Sequence, residues 1–166
     1  PLFCDMSSDF LSRPVDVKQF DFIYAGVQKN VGPAGVVVAI IKDDLLKNVC
    51  RDLPVMMQYK TYVDHDSTYN TPPVFNIYFV NKVSHWLDRN GGLAAMAKCN
   101  QEKAAIVYDA IDSSDGFYRG HAAVDSRSLM NVTFNLPTPD LEAQFIAAAA
   151  EQDLIGIKGH RSIGGC

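Results

Sequence analysis

The sequence has few charged residues and no long apolar run, and both absences narrow the classes of protein that it can encode. Charged residues make up 20% and hydrophobic residues 48% of the 166 residues, a composition typical of a chain that folds around a buried core. The net charge of -4 and the pI near 5.4 give no general attraction to nucleic acid or to anionic membranes. No apolar run approaches the roughly 20 residues needed to span a bilayer. We therefore expect a soluble protein that binds neither nucleic acid nor membranes.

The chain also lacks any cysteine or histidine pattern that would indicate disulfides or a metal. Four cysteines lie far apart in the sequence, at Cys4, Cys50, Cys99 and Cys166. They are too sparse for a disulfide scaffold, and the histidines do not have the spacing of metal ligands. We expect reduced thiols, no metal site and a cytoplasmic location.

The first part of the chain reads as a segment of an α/β domain. Leu2–Cys4, Phe20–Ala25 and Val36–Ile41 are apolar with little polar alternation, which predicts strands of a mostly parallel sheet covered on both faces. A helix is predicted from Pro72 to the glycine stop at Gly91-Gly92, with its aromatic stripe in the core. The polar stretch between Tyr59 and Pro73 has no obvious structure and predicts a long functional loop.

The later part of the chain has a different texture. A long helix is predicted from Leu93 to about Ile111, and after Gly116 the pattern indicates two strands, an amphipathic helix, and a final strand and loop. We place a domain boundary inside the long helix, which gives a first domain of residues 1–95 and a smaller α+β domain of residues 96–166.

One lysine stands out because it lies in a glycine-rich bend between two predicted buried strands. The bend reads GVQKNVGPAG, with Lys29 ahead of Gly32 and Gly35. A phosphate-binding P-loop needs the reverse order, with the glycines before the lysine. Schiff-base formation is a second chemistry that uses one restrained lysine, if its amine is kept close to the core. In pyridoxal phosphate enzymes a carboxylate also pairs with the ring nitrogen, and Asp5 is a candidate. From the pattern alone, an ordinary solvated loop lysine and a loop-capping aspartate remain the alternatives.

Three segments, in this order along the chain, carry a resemblance to a known family. They are AGVQKNVGPAG within residues 1–46, YNTPP at residues 69–73 and GHRSIGG at residues 159–165. Together they closely resemble the class V family of pyridoxal-phosphate-dependent aminotransferases, of fold type I, in its phosphoserine-forming branch. The resemblance extends over essentially the whole chain. It implies the later part of a large cofactor domain followed by most of a small carboxyl-terminal domain.

The resemblance also implies roles for the residues that match the family's motifs. Lys29 matches the lysine that forms the Schiff base and moves the proton, and Asp5 matches the partner of the pyridine nitrogen. Gln28 matches a ligand of the cofactor phosphate. A second set matches residues that act across the interface of a homodimer with shared active sites. These are Asn70 and Thr71 at the cofactor phosphate, and His160 and Arg161 at the substrate phosphate.

The implied activity is reversible amino transfer between L-glutamate and 3-phosphohydroxypyruvate, giving O-phospho-L-serine and 2-oxoglutarate. That reaction belongs to serine biosynthesis and, in bacteria, a related one to vitamin B6 synthesis. Family members are about twice as long as this chain, so we expect the sequence to be part of a longer polypeptide and inactive alone. Another class V aminotransferase, or a non-catalytic fragment that retains the fold, remains an alternative. Without the resemblance, Asn70-Thr71 would read as a helix N-cap and His160-Arg161 as an exposed turn.

Overall fold

The chain forms two compact units in the computed structural model. The structure describes residues 1–47, 52–160 and 164–166. The first unit comprises Pro1–Ala97 and the second Lys98–Cys166. Helices and short strands are combined in both units, and the predicted α/β class is confirmed. Whether these units correspond to the domains predicted at 1–95 and 96–166 stays a prediction.

A three-stranded sheet lies at the centre of the first unit. Its strands are β1 (Phe3–Asp5), β2 (Phe22–Gly26) and β3 (Val37–Ile41), in that order. β1 pairs with β2 in parallel and β2 pairs with β3 in an antiparallel sense. One of the two strand pairs is thus parallel, a smaller share than the sequence predicted. The parallel pair is the one that matters for the site, because it brings the carboxyl ends of β1 and β2 to the same edge.

The core of this sheet lies on one face. Ile23 and Ala25 on β2 are 2% and 0% exposed, and Met6 packs beside them. Side chains alternate across a strand, so the intervening Tyr24 points to the other face and is partly exposed. Val37 on β3 is 66% exposed. Within this unit the sheet is therefore covered on one face, and the prediction of coverage on both faces is wrong for the described residues.

Among the described residues, four α-helices come next along the chain. They are α1 (Asp43–Lys47), α2 (Tyr59–Asp64), α3 (Val74–Arg89) and α4 (Gly92–Asp112). α2 occupies the first part of the stretch that was predicted to be a loop, so that prediction is wrong for Tyr59–Asp64. α3 begins directly after the Pro72-Pro73 pair, where the start of a helix was predicted. Its aromatic residues are exposed, Phe75 to 68%, which contradicts the predicted core stripe.

The second unit contains the rest of α4 and a small α+β arrangement. Its strands β4 (Arg119–Gly120) and β5 (Phe134–Asn135) pair in an antiparallel sense, and α5 spans Pro139–Glu151. The rings of Tyr118, Phe134 and Phe145 contact one another edge to face, with centroids 5.4 to 6.0 Å apart, a favoured geometry for buried aromatic rings. The strand predicted after α5 is absent from residues 155–160 and 164–166.

No helix of the described residues is long and apolar enough to cross a membrane. Those residues likewise contain no group of three or more acidic, cysteine or histidine side chains that could hold a metal ion.

Candidate active site

The carboxyl ends of β1 and β2 place a carboxylate and a lysine at one edge of the sheet. Asp5 is the last residue of β1 and is in register with Tyr24 on β2. A short 3₁₀ turn, Val27–Lys29, follows β2 at once and presents Gln28 and Lys29. Residues 19 to 24 positions apart in sequence therefore meet at the edge where parallel strands commonly bind ligands.

The bend after β2 is held by its apolar residues and by close packing at two glycines. Val27 and Val31 are 0% and 1% exposed, so the exposed Gln28 and Lys29 are carried on a fixed base. A Cβ atom at Gly26 would lie 2.7 Å from Oε1 of Gln28, and one at Gly32 would lie 2.9 Å from a methyl group of Val80 on α3. The glycines of the motif thus let the Gln28 side chain fold back and α3 approach the bend.

Asp5 receives several hydrogen bonds, all of which favour its ionised form. Oδ1 accepts from the backbone N–H of Ser7 at 2.9 Å and from its hydroxyl at 2.6 Å. These bonds lower the pKa of Asp5, and the Tyr24 hydroxyl and the charge of Lys29 lower it further. The Asp5 charge in turn raises the pKa of Tyr24. Asp5 is therefore a carboxylate at neutral pH.

Lys29 donates a hydrogen bond from Nζ to the hydroxyl of Ser8, at 3.0 Å. Its side chain is exposed. The expectation that the ammonium group lies close to the core is therefore wrong for the described residues. Ser7 and Ser8 are adjacent, so one loop contacts both Asp5 and Lys29.

Asn70 and Thr71 lie on the exposed segment before α3. The Asn70 amide donates to the carbonyl of Thr71 at 3.3 Å. Pro73 is the N-cap of α3 and makes no side-chain cap hydrogen bond. The alternative interpretation of Asn70-Thr71 as a helix N-cap is therefore wrong. Their predicted role at a phosphate of a neighbouring subunit stays a prediction.

His160 lies in the second unit on a loop that closes on itself. The N–H of Gly159 donates to the carbonyl of Gly165 at 2.8 Å, and the N–H of Gly164 donates to the carbonyl of His160 at 2.9 Å. Cys166 then exchanges two backbone hydrogen bonds with Phe134 of β5. His160 is exposed, whereas Arg161 lies outside the described residues.

Two glycines of the GHRSIGG motif, Gly159 and Gly165, lie where a side chain would not fit. A Cβ at Gly159 would lie 2.6 Å from the carbonyl oxygen of Gly165 and closer still to that of Gly164. Gly165 has a φ of +76°, and a Cβ there would lie 2.8 Å from the Asn135 amide nitrogen. Only glycine fits these two positions without moving the backbone.

Glu142 holds the base of this loop against β5. Its Oε2 accepts from the N–H of Gly165 at 3.3 Å, and its Oε1 accepts from the Asn135 side chain at 2.9 Å and from the N–H of Leu136 at 3.4 Å. The Asn135 hydrogen bond, followed by the two backbone bonds, lowers the pKa of Glu142. The position of Glu142 near the amino end of α5, after the N-cap Thr138, also suits a negative charge.

A cavity of about 940 Å³ lies beside this loop. His160 and Lys158 line it on the loop side and Lys103 on the α4 side, together with apolar residues of the region around β5. The Ser126–Ser128 segment, just before the cavity residues that begin at Leu129, contains an arginine that is paired within the unit. Arg127 makes two hydrogen bonds to Asp112, at 2.6 and 2.7 Å.

The charged residues of the site were predicted from the sequence, but the residues that contact them were not. Ser7, Ser8 and Tyr24 around Asp5 and Lys29, and Glu142 behind the His160 loop, were not predicted. A signal existed for the serines, since DMSSD places two hydroxyls directly after the candidate aspartate. Glu142 gave no signal, because an acidic residue in the first turn of a helix is common for reasons unrelated to a site.

An ionised carboxylate and a primary amine at the carboxyl ends of neighbouring parallel strands, followed by a small α+β unit, are the arrangement expected of an aminotransferase of the class V type. The family model "Aminotransferase class-V" matches residues 1–162. The chain belongs to the class V aminotransferase family.

Within that family, several of the more similar proteins are phosphoserine aminotransferases. The phosphoserine aminotransferase of Alkalihalobacillus alcalophilus is 57% identical over 166 residues, which are 100% of this chain and 46% of that protein. A solved phosphoserine aminotransferase studied for radiation damage of its Schiff base is 57% identical, with a TM-score of 0.95 over 100% of this chain and 46% of its own. The pyridoxal-phosphate-bound phosphoserine aminotransferase of Trichomonas vaginalis is 42% identical, with a TM-score of 0.92 over 99% and 47%. The chain thus spans about half the length of the relatives that it matches.

Proposed function

We propose that the full-length protein is a phosphoserine aminotransferase that uses pyridoxal 5'-phosphate. It transfers an amino group reversibly between L-glutamate and 3-phosphohydroxypyruvate, and O-phospho-L-serine and 2-oxoglutarate are the products. The observation that carries the proposal is the meeting of Asp5 and Lys29 at one sheet edge, in a chain 57% identical to a phosphoserine aminotransferase.

The residues at this edge suit that cofactor chemically. An ionised carboxylate stabilises a protonated ring nitrogen, and Asp5 is held in its ionised form by Ser7. A primary amine can attach covalently to an aldehyde, and Lys29 presents one beside the same loop. The amide of Gln28 offers neutral donors to a phosphate. When bound, the protonated ring withdraws electrons from the carbon that loses and gains a proton.

Lys29 and Asp5 then have separate tasks. Lys29 would hold the cofactor through its amine, and the same amine would carry the proton between the two carbons that exchange it. Asp5 keeps the ring nitrogen protonated. Two half-reactions share the site in ping-pong order, so the same Lys29 amine acts in both directions.

The second unit and a partner subunit supply the remaining groups in this proposal. His160 and Arg161 provide charge-assisted hydrogen bonds to the substrate phosphate. The hydrogen bonds of Gly159 to Gly165 and of Gly164 to His160 hold the backbone at His160. Asn70 and Thr71, on an exposed segment, reach the cofactor phosphate of a second copy of the chain. We accordingly propose a homodimer located in the cytoplasm and acting in serine biosynthesis.

The first experiment is borohydride reduction of the full-length protein after incubation with pyridoxal phosphate, followed by peptide mapping. We expect one reduced adduct, on Lys29, which Lys29→Ala abolishes. Lys18→Ala, at another exposed lysine of the same unit, is the matched control and should leave the adduct in place.

The second measurement concerns the substrate. We expect amino transfer to 3-phosphohydroxypyruvate to be much faster than to hydroxypyruvate, because hydroxypyruvate lacks the phosphate that His160 and Arg161 are proposed to bind. An adduct on another lysine, or no adduct, would refute the placement of the cofactor. Equal rates with the two substrates would refute the assignment of the phosphate site and favour another class V aminotransferase.

A further inference from the structure

Ser7 makes a contact with Asp5 that a simple turn does not require. The N–H of residue i+2 commonly bonds to an aspartate side chain, and any residue at position 7 would supply that bond. The hydroxyl of Ser7 adds a second, shorter bond of 2.6 Å to the same oxygen, Oδ1. This second bond depends on the side chain, so the identity of residue 7 bears directly on the carboxylate.

The Ser7 hydroxyl is itself fixed from the other side. The N–H of Gly26, at the end of β2, donates to its oxygen at 2.9 Å. The preceding Met6 is 5% exposed, and its N–H bonds to the carbonyl of Tyr24 at 2.8 Å. Because Gly26 occupies a lone pair of the hydroxyl, the Ser7 proton is directed to Asp5. A chain of two hydrogen bonds therefore links the end of β2, which carries the Lys29 bend, to the carboxylate at the end of β1.

These contacts define which part of Asp5 faces a ligand. A carboxylate has about four acceptor positions, and Ser7 fills two of them on one oxygen. The second oxygen receives no bond from Ser7. The charged and titratable groups that face Asp5 are Tyr24 on β2, Lys29 in the following bend and Cys4 on β1.

We propose that Ser7 is a positioning residue for the reaction. It holds the Asp5 carboxylate in the orientation in which its second oxygen meets the ring nitrogen of pyridoxal phosphate. The inference rests on the proposed function, because it assigns Asp5 to that nitrogen.

The experiment compares three variants of the full-length protein loaded with pyridoxal phosphate. Ser7→Ala removes the hydroxyl and keeps the backbone bond, and Ser7→Thr restores a hydroxyl. Ser126→Ala is the matched control, because it removes another hydroxyl-to-aspartate bond, to Asp125 in the second unit. The dissociation constant of the cofactor, the pH dependence of kcat, and KM for both substrates are measured for each.

We expect Ser7→Ala to weaken cofactor binding roughly tenfold or more, as for loss of a hydrogen bond to a charged group. The acid limb of the kcat profile should move to higher pH, because Asp5 loses a bond that lowers its pKa. KM should stay within about twofold of the wild-type value, since the substrate phosphate site is elsewhere in the sequence. Ser7→Thr and Ser126→Ala should both resemble the wild type.

Three results would overturn the inference. The first is a Ser7→Ala protein with the cofactor affinity and acid limb of Ser126→Ala. The second is a Ser7→Ala protein that does not fold, and the third is a Ser7→Thr protein as impaired as Ser7→Ala, since either of these makes Ser7 a structural residue only. Asp5→Asn separates this failure from that of the proposed function. If Asp5→Asn also leaves cofactor affinity unchanged, the placement of the cofactor itself is wrong.

Discussion

Gly159 offers a direct test of whether the shape of the GHRSIGG loop matters to function. In Gly159→Ala the new Cβ would lie 2.6 Å from the carbonyl oxygen of Gly165 and 2.8 Å from its carbonyl carbon. Ordinary contacts of a Cβ begin near 3.4 Å. The two sides of the loop must therefore separate by roughly 1 Å, and the Gly159–Gly165 hydrogen bond of 2.8 Å lengthens with them.

The expected magnitude has two parts. Overpacking of this kind costs about 1 to 3 kcal/mol of the free energy of unfolding. A displacement of roughly 1 Å at a binding group reduces catalytic efficiency by about 10²-fold. Because His160 follows Gly159 directly, we expect the second loss to fall on KM for 3-phosphohydroxypyruvate. Cofactor binding, which we propose to depend on Asp5 and Lys29, should be unchanged.

Gly120→Ala is the matched control. Gly120 lies on β4 of the same unit, and a Cβ there would meet only a methyl group of Ile111 at 3.9 Å. Neither Gly120 nor Gly159 has a positive φ, so the two substitutions differ only in the space available. We expect Gly120→Ala to stay within about 0.5 kcal/mol of the wild type. The steady-state kinetics and thermal unfolding of both proteins decide the matter, and equal behaviour of the two variants would refute the steric argument.

Two further predictions concern the supports of the fold. Ile23→Ala, at a residue 2% exposed, should cost about 2 to 5 kcal/mol in denaturant unfolding, whereas Val37→Ala, 66% exposed, should change little; similar losses would show that the core lies elsewhere. Glu142 has a lowered pKa in the folded state, so the stability it contributes is present above its unfolded pKa and is lost as the pH falls through its lower folded pKa. Glu142→Gln should therefore lower the unfolding temperature at neutral pH and make it decline less in acid. Glu151→Gln, at the other end of α5, should leave the unfolding temperature and its decline in acid unchanged. If the two variants show the same unfolding temperature at every pH, the role of the Glu142–Gly165 contact is contradicted.

The elements with a strong periodic or punctuated signal could be predicted from the sequence. α3 begins after a proline pair and ends at a glycine pair, and the structure places it at Val74–Arg89 within two residues of the prediction. β2 and β3 also lie where their apolar runs indicated. α2 could not be predicted, because YKTYVD spans less than two turns in a polar stretch and its N-cap, Gln58, makes no side-chain cap hydrogen bond. Thr61 instead contacts the carbonyl of Val55.

For the site, the sequence predicted the charged residues but not their contacts or their exposure. The letters indicated which charged residues to examine, since Lys29 and Asp5 are unusual in their contexts. They did not indicate that Ser7 and Ser8 contact these two residues separately, because that depends on the parallel register of β1 with β2. Nor could they show that Lys29 is exposed. Burial depends on every element that packs near a residue, and the local apolar runs around Lys29 report only the nearest ones.

The pairing of strands also predicts that the motif tolerates little variation in length. Asp5 meets the Lys29 bend because β1 and β2 share one parallel register, and Ser7 fixes the end of β1 to Gly26, three residues before the lysine. Inserting one residue between Gly26 and Lys29 would rotate the lysine within the short 3₁₀ turn by about a third of a turn. Its amine would then leave the edge that Asp5 faces, although every side chain of the site would still be present. The function proposed for this chain therefore depends on the spacing between strand end and lysine as much as on the lysine itself.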